Sequence, residues 1–158
     1  WQLAGREAEP LEANLFFLGA VLTGDDTQDN QRLMNQAAPM TAVFFHNLAD
    51  EVGAMGGANM DNGPMSNVLA QYLQKHEQYE PADARYLENH KGHLMRVRPE
   101  ETHVTPELVK ATTLSGTNGE LVERLQDIRD AGYTQVTVQV VHGHESALEE
   151  WAEVFARV

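Results

Sequence analysis

The stretch from Gly116 to Phe155 constrains the fold more than any other part of the chain. Thr117 and Glu120 have the spacing of a capping box, in which hydroxyl and carboxylate each satisfy a backbone N–H at a helix start. Leu121, Val122, Leu125 and Ile128 then recur on one helical face, and Gly132 is placed to close that helix in the left-handed region. Val136, Val138 and Val140 alternate with Gln135, Thr137 and Gln139, which predicts a strand over 134–141. His142-Gly143-His144 makes a turn, and Leu148, Trp151, Ala152 and Phe155 mark a last helix at i, i+3, i+4 and i+7. A helix-strand-helix unit with this punctuation points to an α/β protein with parallel strands.

Upstream, only one further segment reads as a convincing strand, about 12–22. It is continuously apolar from Leu15 to Leu22, the pattern of a strand buried on both faces. A polar helix is expected over 27–37, and Pro39 suits the first turn of the next. In that helix Met40, Val43, Phe44, Asn47 and Leu48 form one stripe, widened by Phe45, Ala49 and Val52, and Gly53 stops it. The Gly-rich stretch 53–64 reads as a mobile loop. Helices follow over about 65–78 (Val68, Leu69, Tyr72, Leu73), from Pro81 through Leu87, and from Thr105-Pro106-Glu107, with an extended lead-in at 112–115. The whole chain, 1–158, thus reads as one domain with a helical insertion over 53–111. Two parallel strands are too few for a stable sheet in water. Such a chain either self-associates through its exposed strands or forms part of a larger protein.

Composition excludes several partners. The formal net charge is −13, unfavourable for non-specific nucleic-acid binding, which needs Lys and Arg to displace counterions. The same charge disfavours anionic membrane surfaces, and no apolar run approaches the ~20 residues that span a bilayer. There is no cysteine, hence no disulfide, thiolate metal site or thiol nucleophile. The start at Trp1 has neither the charged head nor the apolar middle of a signal peptide and lacks Met. A processed or truncated start and a cytoplasmic location are the expectations.

Several motifs together resemble one enzyme family. Thr112 through Leu125, followed by Ala131-Gly132-Tyr133-Thr134-Gln135-Val136, is similar to the C-terminal signature of luciferase-like flavin-dependent monooxygenases, with Asn118-Gly119 where Pro and Glu are usual. Gly19 through Asp26, with Ala38 through Leu48, resembles the family's seventh strand and following helix, and Lys91-Gly92-His93-Leu94 resembles a Lys-Gly-His element of its insertion. Within the family the chain looks closest to the branch similar to methylene-tetrahydromethanopterin reductases, which use a deazaflavin. The resemblance implies an α/β fold that is the C-terminal portion of a (β/α)8 barrel, namely its last two βα units and the helical insertion. It implies an oxidoreductase or monooxygenase with FMN or a deazaflavin at the C-terminal ends of the strands and a small-molecule substrate. A short, non-catalytic homologue serving as a binding or oligomerisation module is the alternative.

The candidate cofactor-binding residues follow from that placement. His142 and His144 come directly after the last strand, at what would be the barrel rim. Lys91 and His93, with Arg96 and Arg98, form the one basic cluster, and an insertion folded over the rim would bring them to an anionic cofactor or substrate. Their alternative is a solvated turn paired with Glu100 and Glu101. Thr117-Asn118-Gly119 is explained by helix capping, and Asp25 and Asp26 by turn formation. The His142-x-His144 pair suggests metal, but no third ligand has convincing spacing, and His90 and His93 at i, i+3 read as incidental. No metal site and no catalytic residue is assigned from sequence.

Overall fold

The computed structural model describes residues 2–7, 9–54 and 64–158. After a short 3₁₀ turn at Gln2–Ala4 the chain forms β1 (Asn14–Phe17) and β2 (Val21–Leu22), then α1 (Asp26–Arg32) and α2 (Ala38–Ala54). The insertion holds α3 (Pro64–His76), a 3₁₀ turn at Ala82–Ala84, α4 (Arg85–Asn89) and α5 (Pro106–Thr112). The closing unit is β3 (Gly116–Thr117), α6 (Asn118–Asp130), β4 (Gln135–Val138) and α7 (Ala147–Phe155). The expected loop over 53–64 falls mostly outside the described residues; α2 runs through Gly53 to Ala54 rather than stopping there.

The fold is α/β and helix-rich, and its strands pair in parallel. β1 lies on β4 in the register Asn14↔Gln135 through Phe17↔Val138, and β2 lies on β3 with Val21↔Gly116 and Leu22↔Thr117. Each sheet has two strands among the described residues. The single strand expected over 12–22 is therefore two short ones, broken at Leu18-Gly19-Ala20. The break has a cause in packing. A Cβ on Gly19 would lie 2.0 Å from the Leu114 carbonyl oxygen, so the chain bends where two backbones approach too closely for a side chain.

Burial on both faces holds from Phe17 to Leu22 and is corrected only at the start of β1. Leu15, Val136 and Val138 pack partly against a core of Phe17, Leu121, Leu125 and Trp151, while Phe16 on the other face is 46% exposed. Helices α6 and α7 cover one face only, so side chains alternate in and out as a half-covered sheet requires. Phe17 and Trp151 meet with ring centroids 5.6 Å apart.

α1 and α2 form one continuous helical run, joined by a π-helical stretch over Leu33–Ala37 in which the Ala38 N–H donates to the Leu33 carbonyl. The wider turn accommodates Pro39, which has no N–H to give and whose ring would crowd a carbonyl one turn back. The stripe read for α2 is rotated. Thr41, Ala42, Phe45, His46 and Ala49 are buried, while Phe44 is 42% exposed and Asn47 is also exposed. In α7 the buried residues are Ala147, Trp151 and Val154, and Leu148 and Phe155 face outward. In both helices several apolar positions compete for the core face, and neighbours decide: α3 and α5 pack on α2, and α6 packs on α7.

Other expectations hold in detail. Thr105 caps α5, accepting from the Leu108 N–H, with Pro106 in the first turn. The capping box of Thr117 and Glu120 is present, and Gly132 has φ of 101°. No helix among the described residues is long and apolar enough to cross a membrane.

Candidate functional site

His142 and His144 occupy the turn after β4, with Gly143 at a φ of 88°. The His142 side chain is 93% exposed and lies 3.3 Å from Glu145 of its own turn. His144 is half-buried and lines a polar groove of about 340 Å3 with Gln28, Arg32, Gln36 and Glu150. Lys91 is exposed and lies 3.2 Å from Glu88. Arg96 is exposed and its side chain lies over Gly92. The basic turn does reach the strand ends. Gln139, just past β4, donates through Nε2 to the Leu94 carbonyl at 3.2 Å. No hydrogen bond or ion pair among the described residues joins Lys91 or His93 to His142 or His144. Asp25 caps α1 by accepting from the Gln28 N–H, and Asn118 Oδ1 is held by Arg157.

The basic cluster is not one unit. Arg98 leaves the surface altogether and is 5% exposed. Its Nε and Nη2 donate to Glu101 Oε1 at 3.1 and 2.9 Å, and its backbone N–H donates to Oε2 at 2.6 Å. Its Nη1 donates to the Glu88 carbonyl at 2.7 Å. Both pairings that proximity suggests are present, Glu100 lying 3.5 Å from Nη1, but the one with Glu101 is buried rather than solvated. α2 supplies a third partner: His46 Nε2 lies 2.5 Å from Glu101 Oε1.

These residues anchor a polar network between α2, α3 and the segment after α4. Tyr72 on α3 donates to Asn89 Oδ1 at 2.5 Å. Asn89 donates onward to the His46 carbonyl at 3.1 Å and to Asp50 Oδ1 at 2.9 Å. Asp50 Oδ2 in turn accepts from His90 Nε2 at 2.7 Å. His93, exposed at the turn, brings its Nδ1 within 3.1 Å of His90 Nδ1. The rings of His46 and His90 stand edge to face, 5.5 Å between centroids.

Electrostatics follow from burial and pairing. Burial alone would raise Glu101, yet hydrogen bonds from His46 and from the Arg98 side chain and backbone hold it at about 2. Burial opposes the Arg98 charge, but Glu101 overrides it and drives the guanidinium above its ordinary value. Burial, with Tyr79 alongside, pushes the Tyr72 hydroxyl well up, so it serves as a neutral donor. Burial lowers His103 to about 4, and its ring packs neutral against Tyr72 at 4.7 Å and Phe45 at 4.9 Å. His93 is lowered too, by desolvation and by His90 and His46.

Of the candidates read from sequence, the structure brings His93 into a cluster and leaves Lys91, His142 and His144 outside it. His46, Asp50, Tyr72, Asn89 and Glu101 carry no sequence motif. The signal that could have found them is His46 itself, a polar residue inside a helix that reads as mostly buried, where such a group needs partners. No family model, curated protein or solved structure matches this chain.

Proposed function

We propose that the chain supplies the two closing βα units and the helical insertion of a luciferase-like, flavin- or deazaflavin-dependent oxidoreductase or monooxygenase. The observation that carries this reading is the parallel pairing of β1 with β4, reached from β2 through a long helical insertion and closed by α7. In such a barrel the remaining strands would lie against the open edges of this pair, and the insertion would reach the C-terminal strand ends, as the Gln139–Leu94 bond does here.

The described residues do not form a flavin cradle by themselves. His142 is splayed into solvent against Glu145, and Lys91 is turned to Glu88. The helix start at Thr117 is occupied by its own capping box. No catalytic step is therefore assigned to this chain. Its role in the proposed parent is to close the barrel and wall one side of the rim.

The test is the native-length protein that contains these residues. The expected result is a chain with further βα units upstream of Trp1 that quenches FMN or deazaflavin fluorescence with micromolar affinity or better, while the 158 residues alone do not. A native protein without additional strands, or one that binds neither flavin, overturns the reading. The second reading, an oligomerisation module, rests on the half-bare sheet around Phe16 and would then be favoured.

A further inference from the structure

We propose that His46, His90 and His93 form a binding site for one divalent transition-metal ion of the zinc class, with a coordination position left open to solvent. One ring nitrogen of each histidine lies within 4.8 Å of those of the other two. The flavin reading does not use His46 or His90, and His93, a candidate for it, is drawn to His90 instead; the metal titration does not depend on flavin binding, so the two proposals are tested separately.

The hydrogen bonds select which nitrogens remain available. His46 Nε2 faces the Glu101 carboxylate at 2.5 Å, and His90 Nε2 faces the Asp50 carboxylate at 2.7 Å. A carboxylate only accepts, so each Nε2 carries a proton, which makes Nδ1 the nitrogen whose lone pair a metal ion would take. His46 Nδ1 is buried and has no hydrogen-bond partner among the described residues, on a side chain that is 3% exposed. A buried, unpartnered imidazole nitrogen is costly, and a cation is the partner this lone pair lacks. His90 Nδ1 and His93 Nδ1 stand 3.1 Å apart. Nitrogens bound tetrahedrally to zinc at about 2.0–2.1 Å are separated by about 3.3 Å, so this pair is already near ligand spacing. A proton shared between His90 and His93 would account for that contact but would leave His46 Nδ1 unexplained.

The surroundings are those of a metal centre. Imidazole ligands that donate their other nitrogen to a carboxylate are held in the right tautomer and made more basic, as Glu101 and Asp50 do here. Both carboxylates are themselves anchored, Glu101 by Arg98 and Asp50 by Asn89. Three imidazoles without a thiolate suit zinc, cobalt, nickel or copper, and not calcium or magnesium, which take oxygen ligands. His93 is on the surface while His46 is buried, so the fourth position faces water. A bound ion would pin the turn after α4 onto α2.

The test uses the full 158-residue chain, freed of metal with a chelator and titrated with Zn2+ and with Co2+. One equivalent should bind Zn2+ with sub-micromolar affinity, and Co2+ should give the intense visible bands of four-coordination. His93→Ala removes a surface ligand without touching the core and should weaken Zn2+ by more than about a hundredfold. Asp50→Asn should weaken it by about tenfold or more, the usual effect of losing a partner that orients a ligand. His142→Ala, in the other histidine pair, should change nothing. Circular dichroism checks that each variant is folded. Weak, six-coordinate Co2+, or Zn2+ affinity that His93→Ala leaves intact, overturns the site, as does loss of binding in His142→Ala.

Discussion

Glu101 shows how much one side chain decides here. Its carboxylate is wholly buried and accepts from His46, from two Arg98 side-chain nitrogens and from the Arg98 backbone. Removing it leaves the buried Arg98 guanidinium with only the longer carboxylate contact to Glu100, 3.5 Å from Nη1, and breaking such a pair is far worse than never having had one. Glu101→Ala should cost about 3–5 kcal/mol, read as a lowered urea midpoint, whereas an ordinary surface Glu→Ala costs within about 0.5 kcal/mol. A midpoint near the native one would show that the network relaxes to readmit water. Asp29 acts on a smaller scale. It accepts from the Thr23 N–H, the Thr23 hydroxyl and the Gly24 N–H, at 2.7, 3.0 and 2.8 Å. Burial works against its charge, but these bonds and Arg32 bring its pKa below the ordinary value. A carboxyl depressed in the folded state adds stability that is present above its unfolded pKa, about 3.9, and is lost as pH falls through the lower folded value. The stability difference between the native chain and Asp29→Asn should therefore be full at neutral pH and shrink below about pH 4. A difference that stays constant into acid would mean that the bonds are not charge-assisted.

At the scale of elements, the closing unit was legible because each of its signals is local. Thr117 and Glu120 cap each other three residues apart, Gly132 takes the left-handed conformation, and both appear as read. The first strand was not legible, because what breaks it is distant in sequence. Gly19 bends the chain where the Leu114 carbonyl comes in, and nothing near Gly19 announces Leu114. Gly19→Ala would place its Cβ 2.0 Å from that oxygen, against rigid backbone. The cost should be about 3 kcal/mol, the upper end of overpacking, and amide exchange should quicken across both β2 and β3. If only β2 responds, the close approach does not couple the two segments. The stripes of α2 and α7 were misread by a fraction of a turn for a related reason. Where Val43, Phe44 and Phe45 are consecutive, periodicity allows more than one face, and α3 and α5 choose the one that carries Phe45 and His46. That choice put His46 beside Glu101 and His90, so the histidine cluster could not be read from spacing: its ligands come from two elements whose packing fixes their meeting.

For the whole molecule, the unresolved demand is the β1–β4 sheet. One face rests on α6 and α7, and the other carries Phe16, 46% exposed, beside the Asn14–Thr137 side-chain hydrogen bond. Among the described residues neither strand has a second neighbour. Two-stranded sheets are marginal in water, and an unpaired apolar edge templates pairing with another chain. Against association stands the charge of −13, which makes copies repel over the Debye length, about 10 Å at 0.1 M salt. These two forces differ in their response to salt: screening weakens the repulsion and leaves hydrophobic contact intact. Sedimentation velocity should thus show the isolated chain shifting from monomer toward larger species as salt and protein concentration rise. Phe16→Lys removes the apolar contact and places a cation on a bare face, where it disturbs little packing. It should return the chain to monomer at the same salt, although it lowers the net negative charge by one unit and so slightly weakens the repulsion. The charge change and the lost contact act in opposite directions, so a fall in association is attributable to Phe16 itself. If the native chain sediments as a monodisperse monomer throughout, the sheet face is stable bare; if Phe16→Lys associates as before, the contact lies elsewhere.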